Sequence, residues 1–179
     1  MAEQKAEFWI VRVVTAIAVV VVIAVFFYPV CEQSREIHDG PSTLSNIKQQ
    51  ALACAMYMTD YDDRLQPAAT WMDALVPYVK NDLVFRDVSM EDRKEDEYGC
   101  AFFSPLSLVD TTKVMHLETV PLTFQSSDLS RNANGRLDLL PGRLKDGMND
   151  VSFLDYHAKA MPKDWPHGPI TILLKEPDQ

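Results

Sequence analysis

The chain has 179 residues, with 17 Lys or Arg against 26 Asp or Glu, a formal net charge of −9, and three cysteines. That length allows one modest core besides any membrane segment, in line with a single domain. Glu3, Lys5, Glu7 and Arg12 cancel, so the negative charge belongs to the rest of the chain, which argues against nucleic acid as a ligand and against a domain lying flat on anionic lipid.

Residues 1–12 are read as a short cytoplasmic stub. Val13 to Val30 carries no charge over 18 residues and has Thr15 as its only polar side chain, which is at the threshold for a bilayer span. A secretory signal fits less well: its apolar core is usually about 7 to 15 residues and ends in small residues, whereas this run ends Phe26-Phe27-Tyr28-Pro29-Val30. A lipoprotein signal would want small residues before Cys31. The sequence therefore predicts a transmembrane helix over 13–30, with Trp9 and Tyr28 at the interfaces and a bend at Pro29. The short stub leaves the bulk of the chain on the far side, although Lys5 and Arg12 before the span are matched by Arg35 and Lys48 after it.

Residues 31–60 read as the second half of a long helix, with a break expected at 39–41, where Asp39-Gly40-Pro41 interrupts it. From Pro41 to about Asp60, Leu44, Ile47, Ala51, Leu52, Ala55 and Met58 recur at helical spacing and need a partner surface, which a sheet would supply. Residues 61–161 read as the globular domain and 162–179 as an extension. Trp71 to Lys80 predicts a short helix, and 89–97 a charge-dense loop. Strands are expected over Tyr98–Phe103, Lys113–Leu117, Val120–Phe124, Val151–Tyr156 and Ile170–Leu174, separated by Gly, Pro, Asn and Asp. The fold class is α+β: a long N-terminal membrane-spanning helix whose C-terminal half packs on a small antiparallel sheet. Cys31, Cys54 and Cys100 make neither a metal spacing nor a Cys-x-x-Cys pair. Cys54 and Cys100 could pair outside the cytoplasm, or both could be buried thiols.

Several blocks together resemble a known family. Tyr28-Pro29-Val30, Ser34-Arg35-Glu36, Leu44-Ser45-Asn46-Ile47-Lys48-Gln49, Ala51-Leu52-Ala53, Met56-Tyr57-Met58 and Asp60-Tyr61-Asp62 are similar, without a gap, to the helix of type IV pilin-like proteins of type II secretion systems. Trp71, Leu75, Pro77-Tyr78-Val79-Lys80-Asn81 and Val84-Phe85-Arg86 look like later blocks of the same bacterial branch. Leu140-Pro141-Gly142-Arg143, Gly147, Asn149, Val151, Phe153, Asp155, His157 and Lys159 resemble its C-terminal signature, in which nine residues separate a His from Asp-Gly. The resemblance covers residues 8 to about 161 and is loose over 89–138.

It implies a non-enzymatic, prepilin-type pseudopilin subunit anchored in the inner (cytoplasmic) membrane by a single pass, with its domain in the periplasm or otherwise beyond the membrane. Implied partners are the membrane, other pilin-like subunits and the proteins of a secretion platform in the bacterial envelope. No cofactor and no small-molecule substrate are implied.

The chain departs from the family at several positions. In the family a peptidase cuts after a Gly and before a Phe, with a Glu four residues beyond; in register, Glu7, Phe8 and Arg12 occupy this junction, so the chain lacks the Gly and the Glu on which processing and ordinary polymerisation rest in the family. Lys145 stands in place of the signature His and Tyr156 in place of its Gly, and the hairpin turn expected there must be built differently. Asp87 stands where the family continues with Cys, which removes a possible disulfide partner.

Candidate chemistry is sparse. Asp60, Asp62 and Asp63 form an acidic cluster of the kind that can hold calcium, but the Gly and bidentate Glu of a calcium loop are absent, and a solvated helix end explains them. Asp155 and His157 alternate along a strand and could serve as orienter and base, or as an exposed hairpin pair. No hydrolase elbow, phosphate loop, zinc signature or dinucleotide fingerprint occurs. Met56 and Met58 read as helix packing residues rather than ligands. Two functions are open: the pseudopilin-like subunit, or an unprocessed single-pass envelope protein whose pilin-like domain binds a partner or ligand.

Overall fold

Ser42 starts the first described element of the domain: its Oγ accepts the Ser45 amide at 3.2 Å, capping the helix α1, Thr43–Asp60. The computed structural model describes residues 12, 15, 17–19, 21, 42–90, 92–144, 147–166 and 170–175. The chain divides into two units, Met1–Gly40 and Pro41–Gln179. In the first, the described residues Arg12, Thr15, Ile17, Ala18, Val19 and Val21 are helical and exposed.

In the second unit, α1 buries Asn46, Ile47, Gln50, Ala51, Cys54, Tyr57 and Met58 along one stripe and exposes Lys48, Gln49, Leu52 and Met56, as a 3.6-residue period requires. It ends where Asp62 and Asp63 take φ of +52° and +58°, left-handed conformations that Asp tolerates better than most side chains.

α2, Trp71–Leu75, passes into a 3₁₀ turn at Val76–Tyr78. It is shorter than predicted because Pro77 donates no amide. Trp71 is fully buried, donates its indole N–H to the Ala133 carbonyl at 2.8 Å, and packs edge-on to Phe85 and face-on to Phe102.

Five strands, β1 Cys100–Phe103, β2 Pro121–Gln125, β3 Asn134–Gly135, β4 Met148–Phe153 and β5 Ala158–Pro162, form one sheet in the order β3-β1-β2-β4-β5. β1 and β2 are antiparallel with Ala101 opposite Phe124, and β4 and β5 are antiparallel with Val151 opposite Lys159. β3 runs parallel to β1, with Asn134 opposite Phe102. Every residue of β1 and β2 is buried, so the centre of the sheet is covered on both faces. α1 packs against β2, β4 and β5.

Several expectations are corrected. The sheet is mixed rather than antiparallel, because a short strand after the Arg131–Ala133 turn joins β1 from its free side. Among the described residues no helix is long and apolar enough to cross a membrane. That overturns the long membrane-spanning helix packed on the sheet, the single-pass anchor and the inner-membrane location. The helix that does pack on the sheet is 18 residues long and carries Asn46, Gln50, Lys48, Gln49 and Asp60, too polar for lipid. Of the expected span 13–30, the residues other than Thr15, Ile17, Ala18, Val19 and Val21 lie outside the described residues, as does the expected break at 39–41.

Lys113–Leu117 and Ile170–Leu174 are not strands. A 3₁₀ turn at Thr111–Lys113 and a left-handed His116 leave room only for the isolated bridge Val114–Leu174. β5, Ala-Lys-Ala-Met-Pro, lacks the β-branched residues that mark a strand in sequence, and its pairing is supplied by the hairpin from β4.

Ile47 is fully buried and Leu52 is 48% exposed. Ile47→Ala is expected to cost about 2–5 kcal/mol of stability and Leu52→Ala under about 0.5 kcal/mol. Urea unfolding of the two variants checks which face of α1 meets the sheet.

Candidate functional site

A 3₁₀ turn at Asp82–Phe85, opened by the Asn81 side chain accepting the Leu83 amide at 2.9 Å, lays its backbone beside α1. The Asn46 side-chain amide donates to the carbonyls of Leu83 and Arg86 at 3.4 and 3.1 Å, and that of Gln50 to Val84 at 2.7 Å. These bonds deliver the next residue, Asp87, to a fully buried position. Its Oδ1 accepts from Thr43 Oγ1 at 2.9 Å and from the Ser89 amide and hydroxyl at 2.9 and 2.6 Å. Its Oδ2 accepts from Gln125 Nε2 at 3.0 Å and pairs with Arg143 Nη1 at 2.7 Å. One carboxylate thus joins the first turn of α1, the end of β2 and the loop before β4.

Gly99, at φ +79°, permits this closure. A Cβ there would lie 2.9 Å from the Asp87 Cβ and 3.1 Å from the Arg143 guanidinium. Burial alone would raise the Asp87 carboxyl, but bonds from Ser89, Arg143 and Thr43 outweigh it and hold the group below the usual carboxylate range. With five donors on about four lone-pair sites, Asp87 has no capacity left to take a substrate proton. It is a tie between segments.

Arg143 and Asn149, two of the signature residues, belong to this region. Fully buried Asn149 accepts the Gly142 amide with its Oδ1, and the loop closes through the Leu144 amide to the Met148 carbonyl at 3.0 Å. Gly147 takes φ +72° with open space around it. Lys145 lies outside the described residues, as do Glu7 and Phe8; Arg12 is helical and exposed.

Asp155 and His157 are paired in the turn between β4 and β5. The Asp155 carboxylate faces His157 Nδ1 at 2.5 Å and accepts the His157 amide at 3.2 Å, a local turn closure. The imidazole stacks on Phe153 with centroids 4.3 Å apart. Between them Tyr156 has φ +70°. The expectation that loss of Gly forces a different turn is therefore corrected: Tyr adopts the left-handed conformation itself, its half-buried ring packed against the core.

The acidic cluster is dispersed by its bonds. Asp60 accepts from the Tyr78 hydroxyl at 2.7 Å, and Asp63 uses its backbone carbonyl for Thr111. Among the described residues no group of three or more His, Cys, Asp or Glu is placed to hold a metal ion. Two open grooves, of about 320 Å³ beside Phe103, Arg136 and Trp165 and about 290 Å³ beside Leu52, Met56 and Tyr78, contain none of the candidate site residues.

Comparison with protein-family models, curated proteins and solved structures found no match.

Sequence reasoning missed the polar centre. Asp87 stood out only as a missing Cys, while Thr43, Gln125 and Asp150 gave no signal, because an isolated polar residue in a chain looks the same whether it meets water or a partner. Cys54 and Cys100 are both free and fully buried, which settles the open pairing as two thiols. Burial pushes each up to about 12, and Gln66 donates to Cys54 Sγ at 3.2 Å.

Asp87→Ala is expected to cost about 3–5 kcal/mol, since it strands Arg143 and Gln125 in the interior, and Arg143→Ala about 1–3 kcal/mol. The folded carboxyl is depressed, so its stabilisation is present above the unfolded value of roughly 3.9 and lost as pH falls through the folded value. Acid titration of wild type and Asp87→Ala, followed by circular dichroism, should show that loss in wild type only. Iodoacetamide at pH 8 should leave Cys54 and Cys100 unmodified in the folded protein and label both in denaturant, as peptide mass spectrometry reads, because the thiolate is the nucleophile.

Proposed function

We propose that the chain is a non-enzymatic, pseudopilin-like subunit of a type II secretion or type IV pilus-like assembly, whose partners are other pilin-like subunits and platform proteins. The observation that carries this reading is the gapless resemblance from Tyr28 to Asp62. Its later blocks support it by what they do in the domain. Asn46, from the Leu44–Gln49 block, bonds the backbone of the Val84–Phe85–Arg86 block, and Arg143, from the C-terminal signature, pairs with the next residue, Asp87. Asn46 and Arg143 thus hold segments of the domain together, a structural use that suits an assembly subunit.

A second reading is an unprocessed protein whose pilin-like domain binds a partner by itself. Glu7 and Arg12, at the processing junction, favour it. The mass of the N-terminal peptide isolated from the native cells separates the two. A mature chain that begins at a methylated Phe8 is the outcome expected of the subunit reading; an intact Met1 or Ala2 start rejects that reading in its processed form and leaves the second.

A further inference from the structure

We propose that Asp87 and Asp150 form a proton-controlled latch that fastens the first turns of α1 to the sheet, closed while the pair holds one proton and loosened when it holds none. Both residues are withdrawn from water, Asp87 at 0% and Asp150 at 4% exposure. Gln125 links them: its Nε2 donates to Asp87 Oδ2 at 3.0 Å while its Oε1 accepts the Asp150 amide at 2.7 Å. The two carboxyls differ sharply in their surroundings. Asp87 accepts five hydrogen bonds, whereas none reaches the Asp150 carboxyl from a described residue.

Among the described residues, no charge lowers the Asp150 carboxyl. Asp87, from the 81–90 segment, adds a like charge. Cys100, on β1, is held neutral by burial. Arg143, from the loop before β4, is engaged by Asp87. On β5 the residue opposite is Ala160, and on α1 Thr43 and Gln50 are uncharged. Lys145 and Asp146 lie outside the described residues.

Two carboxylates in one buried site cannot both ionise cheaply. Burial, then the charge of Asp87, pushes the Asp150 carboxyl up to about 6. A carboxyl raised in the folded state above its unfolded value of roughly 3.9 binds more protons folded than unfolded between the two values. Stability therefore falls as pH rises from about 4 through about 6 and stays reduced above. The second charge acts on Asp87, whose Oδ1 holds Thr43, so the loosening is directed at the start of α1.

The test is urea unfolding of the full chain and of Asp150→Asn between pH 4.5 and 8, with amide hydrogen exchange at both pH values. The unfolding constant of wild type is expected to rise about 25-fold more than that of Asp150→Asn over this range, the part of the shift from roughly 3.9 to about 6 that lies above pH 4.5. After correction for intrinsic rates, the amides of Ile47 to Ala51 should exchange faster at pH 8 in wild type and not in the variant. Equal pH dependence of the two proteins, or acceleration spread evenly over the domain, overturns the latch. Carbon-13 carboxyl titration of wild type decides the matter even where the variant does not fold: a midpoint for Asp150 near 6 supports the proposal, and one at or below 4 rejects it.

Discussion

The buried carboxylate of Asp87 ties together segments of the domain that lie far apart in the chain. A charge placed out of water costs several kcal/mol unless donors surround it, so its burial demands that Thr43, Ser89, Gln125 and Arg143 arrive together. Each of these donors stands on a different stretch of chain. The requirement is collective, and it fixes where α1 begins, where β2 ends and how the loop before β4 is folded.

The apolar core and this polar centre divide the work. Trp71, Phe85, Phe102, Phe124 and Phe153 fill the interior around the sheet and supply most of the burial. Their contacts are not directional enough to set the register of α1 along the sheet. The Asn46 and Gln50 amides, bonded to the carbonyls of 83–86, and the Thr43 hydroxyl, bonded to Asp87, are directional. The buried face of the helix is polar at its start and apolar further on, at Ile47, Ala51, Cys54 and Met58.

α1 was legible because its signal is local. The spacing of Ile47, Ala51 and Met58 and the breaker at Asp39-Gly40-Pro41 place the helix within a few residues of where it lies. β1, β2 and the second half of β4 were legible for the same reason, as short apolar runs between turn residues. β3 and β5 were not: Asn134-Gly135 and Ala158–Pro162 have little strand propensity and owe their state to neighbours already in the sheet. The apolar runs Lys113–Leu117 and Ile170–Leu174 failed in the opposite sense, because the left-handed turn at His116 leaves them one bridge and no ladder. Of the candidate sites, Arg143 and Asn149 were singled out by resemblance and meet the polar centre, whereas Asp60, Asp62 and Asp63 serve the helix end.

By itself the sequence determined the α+β character of the chain, the limits of α1, the central strands and the absence of common catalytic motifs, since all of these follow from neighbours in the chain. Only the tertiary structure decided that the sheet is mixed, that Cys54 and Cys100 are separate buried thiols, and that Asp87 is its polar centre. The reason is distance along the chain. Asp87 lies 44 residues from Thr43, 38 from Gln125 and 56 from Arg143, and a carboxylate in a sequence carries no mark of the donors that folding will bring to it.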